Sequence, residues 1–143
     1  MRAASWRAAY ADILPGPTLA RLTASWDRKF PAGTWVVERE RLLVGYCITG
    51  VESLARVPAV VALNELYVFP EHWRTGLGSL LLERVLEELE SRGTREVVLD
   101  VLERNTRGIA FYEACGFRHV KSADRVSHID GQAFTVLQYR RSL

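Results

Sequence analysis

The stretch from Val60 to Arg92 constrains this chain more than any other. An apolar, strand-like run ending at Phe69 passes through the polar loop Pro70 to Thr75 into Gly76-Leu77-Gly78, and then into a segment with leucine and valine at helical spacing. A strand feeding a helix through paired glycines brings the first helical N–H groups, which have no partner inside the helix, to the end of a sheet. Glycines there let ligand oxygens approach where side chains would clash. The expected ligand carries phosphate.

The rest of the pattern builds around this unit. Leu82, Val85, Leu86 and Leu89 recur at i, i+3, i+4 and i+7 and predict one buried helix face, with Glu83, Arg84, Glu87, Glu88 and Glu90 on the solvated side and Gly93 as a left-handed stop. Val97 to Leu102 then reads as a buried strand, parallel to Val60–Phe69 through a right-handed crossover. Upstream, Ser5–Tyr10 and Thr18–Trp26 predict two short helices broken by Pro15-Gly16-Pro17. Thr34–Val37 and Leu42–Thr49 predict an antiparallel hairpin, followed by a loop from Gly50 to Pro58. Downstream, Asn105 can cap a helix over Thr106–Cys115 that Gly116 ends, a strand starts near Phe117, and Asp130-Gly131 turns into a last strand, Ala133–Arg140. This order predicts an α/β fold, a mixed sheet with helices on both faces, and 143 residues form one domain, 1–143.

Several functions are disfavoured by composition. Nineteen basic and seventeen acidic side chains leave a net charge of +2, with the arginines scattered, so nucleic acid is not the expected partner. No apolar run approaches the roughly 20 residues that cross a bilayer, and Arg2 and Arg7 are not followed by an apolar signal core. No membrane association and a cytoplasmic location are expected. Cys47 and Cys115 have no disulfide or metal-ligand spacing and read as reduced thiols, while His72, His119 and His128 form no zinc pattern, so no metal is expected.

The glycine pair admits three readings. A P-loop would need a lysine after Gly78, where Ser79 stands. A dinucleotide fingerprint would need a third glycine where Leu81 stands and a tight turn in place of the polar loop, although Asp100 would supply its acidic residue. In the third, backbone N–H groups of Arg74, Thr75, Gly76, Leu77, Gly78 and Ser79 wrap a diphosphate.

The third reading meets a resemblance. Pro70-x-x-Trp73-Arg74-Thr75-Gly76-Leu77-Gly78 resembles the coenzyme A loop, [QR]-x-x-G-x-[GA], of the GNAT superfamily of acyl-CoA-dependent N-acetyltransferases. Asn105-Thr-Arg-Gly-Ile-Ala-Phe-Tyr112-Glu-Ala-Cys-Gly116-Phe117 resembles the same family's later segment, and Ser5-Trp6-Arg7-x-x-Tyr10-x-x-Ile13-Leu14-Pro15 its first helix. The resemblance implies a mostly antiparallel sheet with a central splayed parallel pair, and acetyl-CoA as acyl donor. Two departures stand out: Trp73 replaces the usual glutamine or arginine, and the chain begins at the family's first helix without the strand that should precede it. Either the start of this sequence lies too late, or the protein lacks that edge strand, in which case the exposed edge predicts pairing with a second copy, a homodimer.

The resemblance also implies roles. Backbone groups of Leu66, Tyr67 and Val68 would pair with the pantetheine amides as an added strand does. Asn105 would bond the same arm, although capping a helix is an equally physical role for it. Tyr112 would donate a proton to the leaving thiolate; without the family it would read as a packing residue. Glu65, ionisable within an apolar strand where burial would raise its pKa, would serve as general base, the alternative being a solvent-facing or arginine-paired carboxylate. The acceptor, an amine on a small molecule or peptide, would lie between the N-terminal helices and the C-terminal hairpin, walled by Trp6, Tyr10, Trp26 and Trp35, residues that core packing also explains. The competing class is a coenzyme A-binding module without turnover.

Overall fold

The computed structural model describes residues 2–24, 30–51 and 57–143. Trp26 and most of the expected Gly50–Pro58 loop lie outside the described residues. Two helices come first, α1 (Arg2–Tyr10) and α2 (Gly16–Thr23). Pro17 stands in the first turn of α2 instead of in the break between helices, because a missing N–H costs nothing where the helix has no acceptor for it. Next come β1 (Trp35–Arg39), β2 (Leu42–Thr49) and β3 (Val60–Val68), then α3 (Leu77–Ser91), β4 (Glu96–Leu102) and α4 (Thr106–Ala114). The chain ends with β5 (Arg118–His119), β6 (Arg125–Ile129) and β7 (Gln132–Ser142). The single strand expected from Phe117 to the Asp130-Gly131 turn is two short ones, interrupted by a 3-10 turn at Lys121–Ala123.

Among the described residues, seven strands form one sheet in the order β1-β2-β3-β4-β7-β5, with β6 also paired to β7. Only β3 and β4 run parallel, as the crossover through α3 requires. β1 is an edge strand with β2 as its one neighbour in the sheet. The β1–β2 turn places Glu40 and Arg41 at φ 51° and 66°, the left-handed region that suits Asn-Gly. Replacing Glu40-Arg41 with Asn-Gly is expected to raise stability by about 1 kcal/mol, read as a higher urea midpoint at unchanged slope.

The helical periodicity reads the core correctly. Leu82, Val85 and Leu89 are 0% exposed and Leu86 2%, and they meet Val61, Leu63, Val97 and Leu99 from the sheet in one cluster. A smaller cluster of Leu14, Leu19 and Phe134, with Trp6, Tyr10, Ile13 and Ile129, seats α1 and α2 against the β6–β7 hairpin. Thr18 donates to Asp130 at 2.7 Å and Arg21 pairs with the same carboxylate, fixing α2 to that hairpin's turn. Gly93 at φ +102° ends the α3 segment as expected.

One irregularity shapes everything that follows. Ile48 faces Glu65 and Thr49 faces Leu63, so Asn64 is an extra residue on β3, a bulge that bends the strand. The pairing of β3 with β4 covers Val60–Ala62 and stops just before that point. Beyond it the two strands diverge and leave the β4-facing side of β3 open.

Candidate active site

The opening between β3 and β4 is a cavity of about 660 Å³ lined by β3, the loop before α3, the end of β4, α4 and α1. Its floor follows from strand alternation. The Phe69 N–H bonds the Val44 carbonyl on β2 at 2.9 Å, so the backbone groups of Leu66 and Val68 point the other way, into the opening, and those of Tyr67 do not. Tyr67 therefore lines the cavity without offering its backbone for strand addition. The Val68 carbonyl already accepts the Trp73 Nε1–H at 2.7 Å, which locks the indole against the end of β3.

At one end the loop turns into α3. Arg74 (φ 61°) and Gly76 (φ +82°) both take the left-handed conformation, curling the backbone into a concave nest. Thr75 secures the turn by donating to the His72 carbonyl at 2.6 Å. The first ladder bond of α3 runs from the Leu80 N–H to the Gly76 carbonyl at 2.9 Å, so the N–H groups of Leu77, Gly78 and Ser79 precede the ladder. No side chain caps them. A Cβ at residue 76 would meet nothing within 4 Å, whereas one at residue 78 would sit 3.3 Å from the Phe111 ring. Trp73, Arg74, Gly76, Gly78 and Ser79 line the cavity, while Thr75 and Leu77, expected to add their backbone N–H groups to the same cradle, stand between them in the loop and first turn.

The other side is α4. Asn105 Oδ1 accepts the Gly108 N–H at 3.0 Å, the expected cap, and its side chain also hydrogen-bonds the Tyr10 phenol of α1. One side chain thus serves helix and inter-helix contact together. One turn after Gly108, Tyr112 projects into the cavity with its ring edge-on to Phe111 and Phe117, at 5.3 and 5.8 Å between centroids. Burial, with the neighbouring Tyr10, Cys47 and Cys115, pushes its pKa up, so the hydroxyl holds its proton.

Glu65 lies half-buried on the same cavity wall and accepts a hydrogen bond from the Tyr46 hydroxyl at 3.2 Å. Tyr67, whose pKa is also driven up, chiefly by burial and then by Tyr10 and Tyr46, stacks on Tyr46 at 5.6 Å. Trp6 and Tyr10, stacked at 4.6 Å, line the cavity from α1. Trp35 does not join them: it packs against the main core from β1.

Further residues line the cavity beyond those expected, Asp100, Arg107 and Phe111 among them. Asp100 on β4, named from sequence only as the acid of the dinucleotide reading, lines the opening and pairs with Arg125 at 2.8 Å; it is an exposed acid in a strand whose alternate residues Val97, Leu99 and Val101 are buried. Phe111 and Arg107 lie within the Asn105–Phe117 segment, where no role was expected of either.

Cys47 is fully buried, and burial, with Glu65 nearby, pushes its thiol up to about 12. A thiol reagent at pH 8 should therefore modify Cys47 only after unfolding, checked by mass spectrometry of native and urea-treated protein. Among the described residues no group of His, Cys, Asp and Glu could hold a metal, and no helix is long and apolar enough to cross a membrane.

Comparison with known proteins agrees with this fold. Residues 3–117 match the acetyltransferase (GNAT) family. A mycothiol acetyltransferase of Thermobispora bispora is 41% identical over 90 residues, covering 61% of this chain and 30% of that protein. The chain spans less than half the length of the curated relatives it matches, from 30% to 48%. Among solved structures, the ribosomal-protein-S18-alanine N-acetyltransferase of Escherichia coli superposes with a TM-score of 0.66 at 25% identity, over 99% of this chain and 86% of that one. PaiA N-acetyltransferase of Thermoplasma acidophilum in complex with coenzyme A shares the fold with a TM-score of 0.68 at 20% identity, over 97% and 86%. With the family match covering most of its length, the chain belongs to the acetyltransferase (GNAT) family.

Proposed function

We propose that this protein transfers an acetyl group from acetyl-CoA to a primary amine by direct attack in a ternary complex. The observation that carries the reading is one cavity in which the nest at the mouth of α3, the free side of β3, Glu65 and Tyr112 meet. The donor's diphosphate would sit on the N–H groups around Gly76, which lack both intrahelical partners and a capping side chain. Its pantetheine arm would pair with Leu66 and with the Val68 N–H, the Val68 carbonyl being taken by Trp73.

The chemistry then needs two proton transfers. Glu65, directly or through water, takes the proton of the attacking amine as the C–N bond forms. Tyr112, held neutral by burial, gives its proton to the sulfur as the C–S bond breaks. The phenol is re-formed by proton exchange with solvent. Neither step uses a cysteine: Cys47 is buried as a thiol, and the Cys115 thiol is also held above its ordinary pKa, first by burial.

The acceptor side is aromatic, formed by Trp6, Tyr10 and Tyr67, with Glu65 and Asp100 as its carboxylates. Such a wall suits a small amine or a peptide N-terminus better than a polycation. Relatives named as mycothiol and ribosomal-protein-alanine acetyltransferases are consistent with that range.

The test begins with thermal shift in acetyl-CoA, CoA and NAD, because a ligand that binds only the native state must stabilise it. Stabilisation by the first two alone is expected, and a shift with NAD alone would sink the reading. An acceptor panel of N-terminal alanine peptides, small amines and aminoglycosides follows, in which activity confined to aminoglycosides would overturn the aromatic-acceptor assignment.

A further inference from the structure

Arg107 is a cation in this cavity to which the motifs assign no role. It is exposed in the first turn of α4, with its guanidinium carbon 3.9 Å from the centroid of the Trp73 ring. One N–H reaches the Ala9 carbonyl at 3.5 Å. Trp73 is in turn tethered to β3 through Val68, so the cation rests on a platform fixed to the sheet. Both residues line the same cavity as Arg74, Gly76, Gly78 and Ser79. Among the described residues no carboxylate pairs with Arg107.

An unpaired guanidinium stacked on an indole keeps its planar fork of donors available while its face is held by the ring. Four of its five N–H groups remain to be used once Ala9 is served. That fork matches phosphate oxygens, and the neighbouring backbone nest already favours an anion. A cation held there without an anion partner faces the volume into which a phosphate-bearing donor must enter.

We propose that Arg107, seated on Trp73, is a phosphate-binding side chain for the acyl donor, complementing the backbone nest at the mouth of α3 from the α4 side of the cavity. The inference rests on the acetyl-CoA reading above and deepens it. Trp73 acquires a role by it, since its single indole donor is spent on Val68 and its ring instead positions a side chain that can bind phosphate. The donor carries phosphate in two places, the diphosphate and the 3′-phosphate, and the experiment separates them.

Calorimetric titration of wild type, Arg107→Gln and Arg107→Lys with CoA, dephospho-CoA and pantetheine tests this. Arg107→Gln should weaken CoA binding by about 10- to 50-fold, the size of a charge-assisted hydrogen bond, and leave pantetheine binding within about twofold. Arg107→Lys should recover only part of the loss, because an ammonium cannot reproduce the fork. A penalty that persists with dephospho-CoA places Arg107 on the diphosphate; one that disappears places it on the 3′-phosphate, and either supports the proposal. Equal penalties for CoA and pantetheine, or no penalty for CoA with wild type binding normally, would overturn it. If wild type itself fails to bind CoA, the acetyl-CoA reading falls first. The melting temperature of Arg107→Gln should stay within about 2 °C of wild type, as expected for an exposed side chain.

Discussion

Tyr112→Phe is expected to lower kcat by about 10²- to 10³-fold while leaving the Kd for acetyl-CoA within about threefold. The substitution removes one oxygen and keeps the ring that packs edge-on to Phe111 and Phe117, so the helix and cavity survive it. What is lost is the proton destined for the sulfur. A thiolate leaving unprotonated is the costly alternative, and general-acid assistance of this kind accounts for two to four powers of ten. Unchanged turnover would remove Tyr112 from the mechanism, and a wild type that binds CoA tightly without any turnover would favour the non-catalytic module.

The pH dependence follows from the direction of the shift. Because burial holds the Tyr112 pKa above its ordinary 10, the phenol stays protonated through neutral and mildly alkaline pH, and kcat should show no loss from its ionisation below about pH 10. Stability has the same sign. Tyr10, Tyr67 and Tyr139 are also raised, in each case first by burial. Above pH 10 the unfolded chain loses these protons before the folded one does, so stability should fall as pH rises, and Tyr112→Phe should make that fall shallower.

Leu82→Ala is expected to cost about 3 kcal/mol, and so to lower Tm by about 10 °C in a domain of this length. Leu82 is 0% exposed at the centre of the α3 face, surrounded by residues from the sheet that cannot collapse onto a smaller side chain without moving strands. The effect reaches the site, since the same helix presents the nest at its first turn. Acetyl-CoA should restore part of the lost Tm by mass action. A loss under about 1 kcal/mol in urea denaturation would show that α3 is not packed as described.

Much of this architecture is legible locally. The i, i+3, i+4, i+7 spacing from Leu82 to Leu89 names the buried face of α3, and all four residues are buried. Asn105 followed by a helix and Gly116 predicts the observed cap and left-handed stop, which are short-range matters of hydrogen bonding and φ. The parallel β3–β4 pair follows from a helix lying between two apolar strands. Boundaries are less legible: Pro17 proves to be an initiator of α2, and the expected single strand is split by a 3-10 turn at Lys121–Ala123.

The site divides along the same line. Sequence alone determined the pieces whose conformation depends on a few consecutive residues: the nest around Arg74 and Gly76, the α3 face, the Asn105 cap, and the placement of Glu65 on a strand and Tyr112 on a helix. Tertiary structure decided which pieces meet. The bulge at Asn64 depends on the register of β3 against β2, and it is this bend that separates β3 from β4. The Tyr10–Asn105 bond, Arg107 over Trp73, Asp100 in the opening, and Trp35 turned into the core join residues distant in sequence. Such contacts arise from strand register, twist and close packing of the whole domain, to which no short window of residues is sensitive.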